Sequence, residues 1–139
     1  MSSEEKRSWI YAVVTAGVSA LYFVITLSRV PGADVATIAY VRPMLTAIGA
    51  AIGLSIVASI AAAIASPREA GRTDERDRQI HRLGEYVGFY VLSIAAIVPL
   101  ALAMAEVAHF WIANALYLAF VLAALASSIV KIVSYRRGI

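Results

Sequence analysis

At 139 residues and without a single cysteine, the chain is the size of one domain, and disulfides, thiolate metal sites and thiol redox chemistry are excluded. Apolar residues make up 61% and charged residues only 15%, against roughly half and a quarter in soluble domains. That is the balance of an integral membrane protein. The net charge of +3 is no nucleic-acid signal, because the basic residues flank apolar runs.

Residues 1–7 form a short polar tail. Residues 8–28 carry no charge and match the roughly 20 apolar residues that cross a bilayer core. Trp9 and Tyr11 open this run as interfacial anchors. It is too long, and too thinly preceded by basic residues, for a cleaved signal peptide. Residues 29–42 connect to the next span, with a turn at Pro31-Gly32 and a short interfacial helix expected over 34–40.

The second span is expected over 43–65, with Pro43 at a first helical position. It is crowded with small residues, and Gly49 and Gly53 form a GxxxG pair that lets backbones approach closely in lipid. The expected role is packing inside the bundle; a homodimer interface is the alternative. Residues 66–73 make a hydrophilic loop with Pro67 and Gly71 as breakers.

The third helix is expected to start at Thr73 as N-cap, with Asp74 and Glu75 at the positive end of the helix dipole. It runs to residue 85 as a cytoplasmic extension and then crosses the membrane over 86–105, kinked by Pro99. Gly84 and Gly88 form a second GxxxG pair where the span begins. Residues 106–111 turn, 110–130 are the fourth span with Trp111 at its outer edge, and 131–139 are a basic tail.

Orientation follows from Lys and Arg. With the N-terminus inside, Lys6, Arg7, Arg68, Arg72, Arg76, Arg78, Arg82, Lys131, Arg136 and Arg137 are cytoplasmic, and only Arg29 and Arg42 are outside. The expected fold is therefore an all-α four-transmembrane-helix bundle, N-in and C-in, with helix three extended into the cytoplasm. Sequential helices should be antiparallel neighbours.

Two stretches carry a family likeness. One is D-x-R-D-x-x-I-x-R-x-G-E, here Asp74, Arg76, Asp77, Ile80, Arg82, Gly84 and Glu85. The other is H-F-W-I-A-N at 109–114, followed by K-x-x-x-Y-R-R-G from Lys131 to Gly138. Together they resemble an uncharacterised family of small four-helix bacterial membrane proteins, over essentially the whole chain. The resemblance implies a regulatory pairing, because such proteins are often encoded beside helix-turn-helix regulators. It supplies no catalytic residues.

On helix three, Asp77, His81 and Glu85 follow at four-residue steps, with Asp74 on the same stripe. Ile80, Leu83, Val87 and Tyr90 are assigned to the opposite, apolar side. The stripe has the residue types of a divalent-metal site, but one face of one helix does not complete a coordination sphere. Its other readings are a solvated surface with ion pairs such as Asp74–Arg78 and Arg82–Glu85, or a surface that docks a cytoplasmic protein. Glu106 and His109 read as a loop pair. Asn114 lies a turn inside helix four, where a buried amide needs a partner; interhelical bonding is the expected role.

No Asp, Glu, Lys or Arg falls in the middle of a span, where ion-coupled transporters keep ionisable groups. No Ser/His/Asp set lies at membrane depth, and there is no glycine-rich phosphate loop. No cofactor, metal or direct nucleic-acid partner is expected. The leading function is a non-enzymatic regulatory or sensory membrane protein that presents its charged helix to a cytoplasmic partner. The alternative is a small oligomeric transporter or channel for an apolar or weakly polar solute. A hydroxyl-lined cavity favours transport, and a dry bundle with an exposed charged helix favours regulation.

Overall fold

Hydroxyl side chains and one amide share the seams between the helices with apolar side chains. Lipid tails are as apolar as leucine, so hiding leucine from them gains little, whereas polar groups must find partners inside the protein. A computed structural model describes residues 3–32, 38–68 and 74–138. It holds α1 (Ser3–Leu27), α2 (Val41–Ala65), α3 (Glu75–Ala95), α4 (Ile97–Met104) and α5 (His109–Arg137), with a 3-10 turn at Val30–Gly32. The structure is all-α, and four helical stretches, α3 and α4 counting as one, are long and apolar enough to cross a membrane.

In α1 the buried stripe is Ser8, Thr15, Ser19, Tyr22 and Thr26, while Val13, Leu21 and Val24 face outward. Ser8 Oγ donates to the Glu4 carbonyl at 3.1 Å and Ser19 Oγ to the Thr15 carbonyl. Across from this stripe, Tyr22 donates to Asn114 Oδ1 at 2.6 Å, and Asn114 Nδ2 donates to the Phe110 carbonyl at 2.7 Å. The buried amide of α5 is thereby satisfied on both sides. Tyr22 also meets Tyr117 edge-on at 5.0 Å, in a core that includes Ala47 and Val121.

The helices stand in the order α2, α1, α5, α3: α1 packs on α2 and α5, and α5 packs on α1, α3 and α4. No comparable seam joins α2 to α3. Sequential helices are therefore neighbours at α1–α2 and across the α3/α4–α5 turn, but not at α2–α3, and the row is open there. One end collects most of the charge. Lys6 Nζ donates to Ser66 Oγ at 2.9 Å, Arg136 Nε lies 3.1 Å from Glu5 Oε1, and Arg76 reaches the carbonyls of Ser134 and Tyr135.

Helix α3 starts one residue later than the sequence suggested. Asp74 is the N-cap: its Oδ1 accepts from Asp77 N–H at 2.8 Å, and Asp77 Oδ2 accepts from Asp74 N–H at 3.1 Å, a reciprocal capping box. Thr73 and Gly71 lie outside the described residues, as does most of the expected 34–40 helix; residues 38–40 are not helical. Pro99 breaks the third span at Ala96. It has no N–H to offer the Ala95 carbonyl, and its ring crowds that carbonyl. Ala96 N–H still bonds Leu92 O at 2.8 Å, and Leu100 N–H restarts the ladder on Ala96 O at 3.2 Å.

The turn into α5 places Glu106 at φ 57°. Glu106 N–H bonds Ala103 O and Val107 N–H bonds Leu102 O, the pattern that usually takes glycine. At the other end of α5, Gly138 does adopt such a φ, 73°.

The two GxxxG pairs have opposite surroundings. A Cβ added at Gly88 would stand 3.2 Å from Ser127 Cβ and 3.3 Å from Ala123 O, whereas one at Gly49 or Gly53 would meet nothing within 4 Å. The packing expected at Gly49 and Gly53 inside the bundle is absent, because α2 turns Ala47 inward and leaves both glycines exposed. Gly88→Leu should thus cost about 1–3 kcal/mol through overpacking, seen as an earlier thermal melt in detergent. Gly49→Leu and Gly53→Leu should melt like the parent. A change of oligomeric state in those two variants would instead place the pair at a contact between copies.

Candidate functional site

The stripe picked out on α3 is divided: Asp77 is buried against α5, Glu85 reaches α5 from an exposed position, and Asp74 and His81 are exposed. At 100° per residue, Asp77, Ile80, Gly84 and Gly88 share the buried arc, and Leu83, Tyr86, Phe89 and Tyr90 are exposed. Ile80 therefore belongs with Asp77, not with Leu83 and Tyr90.

Asp77 is buried and accepts a hydrogen bond from the Tyr135 hydroxyl while it serves the helix cap. The Arg76 guanidinium sits 5.5 Å from the centre of the Tyr135 ring, close enough for a cation–π contact. Two turns on, a Cβ at Gly84 would come within 2.5 Å of Lys131 Cε and 2.7 Å of its Cγ. Glycine lets the lysine stem lie across α3, and Lys131 Nζ then meets Glu85 Oε1 at 2.8 Å. Ser127 Oγ reaches the same oxygen at 3.4 Å. The stretch from Asp74 to Glu85 and the stretch from Lys131 to Gly138 thus meet in one seam.

The ion pairs differ from those expected. Arg78 pairs with Glu75 at 3.4 Å, not with Asp74, and Glu85 pairs with Lys131, not with Arg82. Asp74 is exposed at the cap. Among the described residues no group of three or more His, Asp or Glu side chains is placed to hold a metal ion. Glu106 serves its turn and His109 opens α5.

Because α2 and α3 form no seam, a cleft of about 620 Å³ lies between them, backed by α1 and α5. Its polar lining includes Glu4, Arg7 and Tyr11 from α1, Ser55 and Ser59 from α2, Asp77, His81 and Glu85 from α3, and Ser127, Lys131 and Tyr135 from α5. Deeper, Phe89, Leu92, Ala123 and Ala124 make it apolar. Asn114 is not part of it. A second hollow of about 550 Å³ between α1 and α2 is lined mainly by apolar residues such as Val18, Leu21 and Leu54 and shares no residue with the first.

The sequence places Asp77, His81 and Glu85 on one stripe but does not show that Lys131, Tyr135, Arg7 and the serines stand beside it. A signal was available: Lys131 and Tyr135 are four apart, hence on one face of α5, and that face carries the complements of Glu85 and Asp77. No protein-family model, curated protein or solved structure matches the chain.

The role of Gly84 is testable by a double-mutant cycle. Gly84→Ala must push the Lys131 stem aside and break its pair with Glu85, so it should lower the melting temperature of the parent. In a Lys131→Ala background the same change should be neutral to stabilising, by up to about 1 kcal/mol, because alanine is the better helix former. Equal losses in both backgrounds would show that the stem does not lie over Gly84.

Proposed function

We propose that the chain is a non-enzymatic, multi-pass protein of a bacterial cytoplasmic membrane, with both termini and the charged end in the cytoplasm, that senses a small ligand bound in the α2–α3 cleft. The cleft, lined by charged and hydroxyl groups where the helix row is open, is the observation that carries this reading. The Lys and Arg asymmetry supports the orientation, and the head of α3, through Glu85, stands on the cytoplasmic side.

The capped head of α3 also suits an output role. Asp77 and Glu85 are engaged by α5, so the surface left for a partner is the outward one: Glu75, Arg78 and Arg82, all exposed. The family likeness points to a helix-turn-helix regulator as that partner. Transport is the second reading, favoured by the serine hydroxyls in the cleft. Against it, the two hollows share no lining residue among the described residues.

The absence of native cysteine makes labelling clean. Single variants Arg78→Cys, Ser59→Cys and Thr46→Cys should be treated with a charged maleimide, in intact cells and in inverted membrane vesicles. Arg78→Cys and Ser59→Cys should react in inverted vesicles only. Thr46→Cys, in the apolar hollow, should react in neither. Labelling of Arg78→Cys from outside would reverse the orientation, and an unreactive Ser59→Cys would mean that the cleft is closed to water.

A further inference from the structure

The lining of the cleft carries its own specificity. Three carboxylates, Glu4, Asp77 and Glu85, line the cleft with two fixed cations, Arg7 and Lys131, and the imidazole of His81. Both cations are already held against carboxylates: Arg7 Nη1 lies 3.7 Å from Glu4 Oε1, and Lys131 Nζ lies 2.8 Å from Glu85 Oε1. Both pairs run through Oε1, and the Glu85 side chain, which lines the cleft, is 60% exposed. An incoming anion meets excess negative charge, whereas a cation finds carboxylate oxygens. Half-buried Ser55 lines the same space and its hydroxyl has no hydrogen-bond partner among the described residues, so an N–H donor would satisfy it. Tyr11 and Phe89 add aromatic walls, which favour cations over anions.

Polarity also changes with depth. The charged groups gather at the loop end, and Phe89, Leu92, Ala123 and Ala124 line the interior. The missing α2–α3 seam opens the cleft sideways, past residues such as Ile52 and Ile56 that face outward. A ligand entering by that route is half apolar. We infer that the cleft takes an amphiphile with an ammonium head: the head sits among Glu4, Glu85 and Ser55, and the tail leaves between α2 and α3 into the bilayer. This rests on the cleft being a ligand site. The ammonium belongs either to an aminophospholipid or to a free long-chain amine.

The full chain in a neutral maltoside detergent, observed by native mass spectrometry, tests the assignment. Three probes of equal chain length are compared: dodecylamine, dodecanoate and 1-dodecanol. Phosphatidylethanolamine and phosphatidylglycerol of matched chains form a second comparison. Ser59→Trp fills the cleft without altering its charge. Glu4→Gln removes one carboxylate outside the α3–α5 seam and carries the test should Ser59→Trp melt early.

Dodecylamine should form a saturable one-to-one adduct about tenfold or more tighter than the other two probes. Ser59→Trp should abolish that adduct, and Glu4→Gln should weaken it about tenfold. Preference for phosphatidylethanolamine over phosphatidylglycerol assigns the head to a lipid; no preference between lipids assigns it to a free amine, and either result supports the class. Equal binding of all three probes, or preference for dodecanoate, with loss in Ser59→Trp, overturns the ammonium class and leaves the cleft a ligand site. Adducts indifferent to both variants, or none at all, overturn the cleft as a ligand site as well.

Discussion

The missing side chain at Gly84 is the constraint on which the charged end depends. Any Cβ there would collide with the Lys131 stem. Without one, the stem crosses α3 and delivers its ammonium to Glu85, while a few residues away Tyr135 reaches Asp77. These contacts fix the head of α3 on α5 rather than on α2. From that choice follow the open side of the row and the cleft, with His81 and Glu85 on its wall.

Lipid as solvent explains the rest of the interior. In water, α1 would bury its valines and leucines; here it buries Ser8, Thr15, Ser19, Tyr22 and Thr26 and leaves the aliphatic residues to the tails. Stability then comes from close packing and from satisfied polar groups, each hydrogen bond contributing on the order of 1 kcal/mol. The Tyr22–Asn114 bond closes the α1–α5 seam in the far half, and the Asp77 and Glu85 contacts close the α3–α5 seam at the charged end.

Features set by local composition could be read from the chain. Four apolar runs of membrane length, the interruption near Pro99 and the need of Asn114 for a partner each depend on a few neighbouring residues. What could not be read is which way a face turns. The acidic stripe is expected to meet water or a docking partner, on the rule that polar faces point outward, and for two of its members that rule fails at the seam: Asp77 and Glu85 meet Tyr135 and Lys131 of α5, more than forty positions away. The two glycine pairs make the same point. Gly49/Gly53 and Gly84/Gly88 share one spacing, but spacing shows only that a close approach is permitted. Whether a helix arrives depends on the order of the row, which no single segment encodes.

The α3–α5 seam is the central claim, and a disulfide across it is the most direct measurement. Gly88→Cys and Ser127→Cys are combined in the otherwise cysteine-free chain, where a Cβ at position 88 would stand 3.2 Å from that of residue 127, near the 3.5–4.5 Å typical of a bridge. Mild oxidation in native membranes should join the pair within one chain, blocking both thiols to a maleimide mass tag until reductant is added. Two thiols that remain taggable after oxidation, in a protein that is folded and inserted, would mean that this face of α3 does not meet α5.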